Sequence, residues 1–200
     1  MNDVVEPEGA DTVACADSPD GADSPDDADL AAVAAQLGRH PRGVLSVAHR
    51  CPCALPDVVA TAPRLPDGTP FPTYYYLTCP RLAGAIGTLE AAGVMRSMTE
   101  RLGTDASLAE AHAEAHQRYL AAREAVESVP QLAGVSAGGM PDRVKCLHVL
   151  VAHSLAAGPG ANPLGDEALA MLPDWWRSGP CVGVGVDAGE DGDSDGGVGP

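Results

Sequence analysis

Lys145 is the only lysine in a chain of 200 residues, and the other eleven basic residues are arginines. That imbalance reads mainly as compositional bias and only secondarily as a pointer to Lys145. No basic stripe or basic tail is present, which excludes the electrostatic footprint of a nucleic-acid binder. Long apolar runs are also missing: Val149 to Ala157 is interrupted by His153 and Ser154 and is too short to span a bilayer. Because no charged segment followed by an apolar run opens the chain, neither a secretory leader nor membrane association is expected. A cytoplasmic location is.

Several catalytic signatures are absent as well. There is no Gly-x-x-x-x-Gly-Lys-Ser/Thr phosphate loop, no dinucleotide fingerprint and no Gly-x-Ser-x-Gly elbow. Closely spaced Cys-x-x-Cys pairs are missing too, so no standard zinc finger is encoded.

What is present is strongly segregated. The net charge is −16, yet residues 1–29 contribute ten acidic groups and no basic one, and residues 182–200 contribute five more acids. Between them the charges nearly cancel. Residues 1–28 carry the unit ADSPD twice and too little apolar surface to offset the entropy of ordering, so an acidic disordered tail is expected there, and a Gly-rich one over 183–200. Residues 29–182 are then expected to form one domain with a real core.

Within it, Leu30, Val33 and Leu37 share one face of a short helix with Asp29 as N-cap. Residues 43–50 alternate as a strand, 57–65 lead into the turn Pro66-Asp67-Gly68-Thr69, and 71–79 return with Tyr74, Tyr75 and Tyr76. The period then becomes helical. Helices are expected from Pro80 to Leu102 with a kink at Gly93, over 105–128, from Pro141 through Leu155, and from Pro163 to about Leu172. The class is therefore α+β, a small, mostly antiparallel sheet near the N-terminus packed with about four to five helices.

Chemistry concentrates in the cysteines. His49-Arg50-Cys51-Pro52-Cys53 puts two thiols and an imidazole in five residues, Cys79 ends the tyrosine strand and Cys146 stands near the start of an apolar helix. In a reducing compartment such cysteines suggest metal ligands before disulfides. The first expectation is a metal held by Cys51, Cys53, Cys79 and Cys146, with His49 or His148 able to replace one, as zinc or an iron-sulfur cluster. The alternatives are a reactive thiol pair and a non-catalytic interaction domain with inert core thiols, and Cys181 is left unassigned.

A second candidate is an anion site at Gly138, Gly139, Arg143 and Lys145, where glycines and a helix start could receive a phosphorylated or carboxylated small molecule. His112 and His116 share a helical face, but on an Ala- and Glu-rich helix they read as solvated, whereas His153 reads as a hydrogen-bonded core histidine. Residues 38–182, through blocks such as RGVLSVAHRCPC, PRLPDGTPFPTYYYLTCPRL and GGMPDRVKCLHVLVAHSLAAGPGANPLGDEAL, resemble an actinobacterial family, domain of unknown function 501. The resemblance implies a bacterial cytoplasmic protein and no established activity. It departs at Ala54-Leu55, where a glycine and a polar residue are expected.

Overall fold

The computed structural model describes residues 24–183; the acidic segments 1–23 and 184–200 lie outside the described residues. In chain order the elements are α1 (Asp27–Leu37), β1 (Val44–Arg50), β2 (Pro56–Thr61), β3 (Tyr75–Leu77), α2 (Pro80–Ala91), α3 (Val94–Leu102), α4 (Ala106–Val126), α5 (Leu147–Ala157) and α6 (Pro163–Ala170). This is the expected α+β arrangement. The sheet has three antiparallel strands in the order β1-β2-β3, so β2 is central, and all six of its residues are buried.

Helix α1 begins earlier than its sequence suggests. Asp26 is the N-cap and Asp29 the third helical residue, each side chain bonding the other's backbone amide in a capping box. Asp29 also accepts two bonds from the Arg50 guanidinium, at 2.6 and 2.8 Å, which ties α1 to the end of β1. The arginine's hydrogen bond holds the Asp29 carboxyl below its ordinary range.

The turn joining β1 to β2 explains the departure at Ala54. Cys51 N–H donates to the Leu55 carbonyl and Ala54 N–H to that of Cys51, at 2.9 and 2.8 Å, a closure that needs Ala54 at φ 70. A side chain in this left-handed region costs roughly 1–2 kcal/mol. Ala54→Gly is therefore expected to stabilise the protein by about 1 kcal/mol, read as a higher urea midpoint at unchanged slope; a lower midpoint would contradict the strained turn.

The long helix expected after Pro80 divides at Gly93, φ 86, into α2 and α3. Helix α5 starts six residues later than Pro141. Four of the intervening amides are committed elsewhere: Lys145 and Cys146 N–H donate to the Gly138 carbonyl, Arg143 N–H to that of Gly139, and Val144 N–H to Thr99 Oγ1. Once begun, α5 occupies the centre. Leu147, Leu150 and Val151 are fully buried in a core completed by Leu82, Ile86, Met98, Tyr119, Met140 and Leu164 from the surrounding helices and loops. Helix α6 is capped by Asn162, which accepts from Gly165 N–H at 3.0 Å, with Pro163 in its first turn.

Candidate functional site

The four cysteines expected to converge lie in three places. Cys51 and Cys53 face each other in the β1–β2 turn, Cys79 lies beside Cys181, and Cys146 meets neither pair. Cys79 is the N-cap of α2, while Cys146 sits beside Glu90 near the helix's other end. Eleven residues of helix separate the two positions, roughly 16 Å of rise, and no local rearrangement closes that gap. Cys181 belongs with Gln36, whose amide donates to its sulfur at 3.2 Å and to the Pro56 carbonyl at 2.7 Å.

What surrounds Cys146 is a different set. It is the N-cap residue of α5, extended at φ −153 and ψ 114, so the chain turns into the helix between Cys146 and His148. An irregular start is the condition under which residues two apart can present side chains to one point. Glu90, from the last turn of α2, closes the group: its Oε1 accepts from Leu147 N–H at 2.8 Å and lies 3.2 Å from His148 Nδ1. One ligand atom from each of Glu90, Cys146 and His148 falls within 4.8 Å of the other two. Among the described residues no other three His, Cys, Asp or Glu side chains meet that condition.

The electrostatics reinforce the geometry. Burial opposes ionisation of Cys146, but the His148 hydrogen bond and the Val149 amide outweigh it, so the thiol sits below its ordinary value. The same thiol, against the cost of burial and with help from Glu90, pushes His148 up to about 9. Each group thus favours the charged form of the other. Both side chains line an open cleft of about 360 Å³ whose opposite wall is the β3 region, with Thr73, Tyr75, Tyr76 and Leu77. A smaller hollow of about 50 Å³ between α1 and the sheet is lined largely by apolar side chains such as Val33, Leu65 and Phe71, with Arg39 and Arg42 among its walls; it contains no comparable donor set.

The expected anion site is built differently from its sequence reading. Gly138 and Gly139 do adopt φ 62 and 94, but a Cβ on Gly139 would stand 2.8 Å from Lys145 Cβ and 2.9 Å from the Arg143 carbonyl oxygen. These glycines serve the loop's own closure. The amides of Arg143, Val144, Lys145 and Cys146, at the expected helix start, are already bonded within the fold, and Arg143 and Lys145 are exposed.

His112 and His116 are not solvated. They are 0% and 7% exposed, and among the described residues no hydrogen-bond partner in good geometry reaches any of their four ring nitrogens. Burial accordingly holds both below their ordinary values. His153 is the core histidine its position implied: it stacks on Tyr75, stands edge-on to Tyr119, and its Nδ1 lies 3.4 Å from Asn162 Nδ2.

Burial depresses His153 to about 4, with Arg118 adding to the effect and Asp166 opposing it. The unfolded chain takes up a proton below about 6.5 that the folded one refuses, so stability is full above that pH and falls toward pH 4. The expected loss across this window is roughly 2–3 kcal/mol from His153, with His112 and His116 acting in the same direction. Urea unfolding at pH 7 and at pH 5 checks it, and His153→Gln should flatten the profile.

Residues 47–170 match the family described as protein of unknown function (DUF501). The chain belongs to that family. Its matched span takes in His49, Cys51, Cys53, Cys79, Glu90, Cys146 and His148, while Cys181 falls beyond it. No curated protein and no solved structure matches the DUF501 chain. Among the described residues, no helix is long and apolar enough to cross a membrane.

Of the site, Cys146 and His148 were recognisable in the sequence and Glu90 was not. It lies on another helix, in a stretch whose leucine spacing explains it as surface.

Proposed function

We propose that this protein binds a single divalent metal ion through Glu90, Cys146 and His148, and presents it to a small molecule in the tyrosine-walled cleft. The observation that carries the reading is the mutual approach of three unlike donors within 4.8 Å. A thiolate, an imidazole and a carboxylate are the donor types that zinc takes, and two anionic ligands balance its charge. One thiolate is too few for an iron-sulfur cluster, so zinc is favoured over iron-sulfur. Three protein ligands with a cleft beside them leave a coordination position for water or substrate, the arrangement of a reactive site more than of a structural one.

Glu90 has a double part in this reading. Through Leu147 N–H it fixes the first turn of α5, and through its carboxylate it fixes where His148 points. Elemental analysis of the purified protein is expected to return about one zinc per chain, and Cys146→Ser to lower that content by roughly tenfold or more. Cys53→Ser should leave it unchanged.

A second reading has its own support, the placement of Cys146 at a helix N-terminus with His148 and Glu90 grouped beside it, which offers a nucleophilic thiol a base and that base a carboxylate partner. Metal-free protein whose Cys146 is alkylated by iodoacetamide far faster than Cys53 or Cys181 would favour the nucleophile over the metal.

A further inference from the structure

The β1–β2 turn holds a second group of reactive side chains, separate from the cleft. Cys51 is 4% exposed and Cys53 is half-buried at the surface, with the two thiols facing each other across Pro52. Behind them Asp57 is 0% exposed, an unusual position for a carboxylate on the central strand. Its Oδ1 lies 2.6 Å from His49 Nδ1, and its Oδ2 is buried with no partner among the described residues.

The sheet register explains the placement. Between His49 and Arg50 the pairing on β2 jumps from Val58 to Pro56, so Asp57 is the residue left out of register. Such irregularities re-aim a side chain. Here the result is a carboxylate under the turn, bridged to a half-exposed imidazole that reaches solvent.

Electrostatics agree with that picture. Burial raises Asp57 above the usual carboxylate range, with His49 opposing. Burial likewise pushes the Cys51 thiol up to about 12; the Cys53 backbone amide opposes this, and the Cys53 side chain and the Asp57 charge add to it. A protonated buried thiol, a half-exposed thiol and a buried proton acceptor are the components of a dithiol exchange site.

We propose that the β1–β2 turn performs thiol–disulfide exchange, with Cys53 as attacking thiol, Cys51 as resolving thiol, and Asp57 and His49 as the proton path. In the first step the Cys53 sulfur, as thiolate, bonds one sulfur of a substrate disulfide, and the other sulfur leaves and takes up a proton. In the second, Cys51 gives its proton to Asp57 while its sulfur bonds that of Cys53, and the remaining substrate sulfur leaves as a thiolate that takes up a proton from solvent. His49 relays the proton from Asp57 to solvent. The substrate disulfide is reduced by two electrons to two thiols, and Cys51 and Cys53 are oxidised to one disulfide; a dithiol reverses the reaction. A bridge across one residue is strained and so readily reopened, which suits turnover over permanence.

The probe is 2-hydroxyethyl disulfide added to the full chain, with a maleimide quench and peptide mass spectrometry. In the wild type the Cys51–Cys53 peptide is expected to lose both thiol hydrogens with release of both mercaptoethanol halves. Cys51→Ser should accumulate a mercaptoethanol adduct on Cys53, and Cys53→Ser should form neither product. Asp57→Asn should prolong the adduct on Cys53 by at least about tenfold. Since Asp57 is buried, His49→Gln provides the same test at a half-exposed position.

A wild-type adduct on Cys53 that never resolves, or a turn inert under conditions where Cys181 reacts, would overturn the proposal. Zinc content is indifferent to either result, so this test and that of the cleft fail independently.

Discussion

Replacing Gly165 with alanine is expected to destabilise the fold by about 3 kcal/mol or more, the closest clash of an added methyl group among the described glycines. Gly165 lies in the first turn of α6 where it crosses α5. A Cβ there would stand 2.8 Å from the Leu150 carbonyl carbon and closer still to that carbonyl's oxygen and to Ser154 Oγ. Two of these atoms are backbone, so no rotamer change relieves the clash. The serine is also held, since its hydroxyl donates to the Asn162 carbonyl at 3.1 Å.

The helices must therefore separate, and the contacts of Leu164 and Ala168 with the core separate with them. Gly84, on α2, is the control: nothing lies within 4 Å of its Cβ position. There the same change should stabilise by roughly 0.5–1 kcal/mol, the helix-propensity gain alone. Urea midpoints for the two variants check the pair, and similar values for both would mean that the α5–α6 crossing is not as close as described.

Arg123→Met is expected to cost roughly 3–5 kcal/mol through a different mechanism. Arg123 is 1% exposed, and its guanidinium donates to the carbonyls of Pro72, Leu132 and Val135 at 3.2, 3.2 and 3.4 Å. These partners belong to the approach to β3 and to the loop after α4, segments with little regular secondary structure to satisfy their own carbonyls. Methionine fills most of the volume but leaves buried acceptors without donors, and each such loss costs about 1–3 kcal/mol.

Lysine restores the charge but not the planar fork that reaches three carbonyls, so Arg123→Lys should recover only part of the loss. Beyond the lower midpoint, limited proteolysis should begin within residues 129–140 in the Arg123 variants and not in the wild type. Equal protection of that loop in both would show that it is held by other contacts.

Periodicity and turn chemistry carried much of the fold. The strand at β1, the turn at Pro66 to Thr69, the kink at Gly93, the Asn162 cap and the apolar circumference of α5 each correspond to an observed feature, although the burial of β1 does not alternate along its length. These are local features, and short-range sterics and burial suffice to encode them. The misplaced starts of α1 and α5 have different causes: α1 is set by the Asp26–Asp29 capping box, one turn earlier than Asp29 alone would place it, whereas the amides after Pro141 are taken by the Gly138 and Gly139 carbonyls of the same loop and by Thr99.

By itself the sequence determined the fold class, the segregation of charge into the terminal segments, and which residue types could do chemistry. Only the tertiary structure decided which of them meet. The cysteine nearest in type to Cys146 lies at the far end of a rigid helix, while a glutamate 56 positions away in the chain lies against it. His49 and Asp57, whose spacing gave no reason to pair them, face each other because one residue on β2 falls out of register. Helix rise and strand register set distances between side chains far apart in the chain, and neither can be read from the residues being joined.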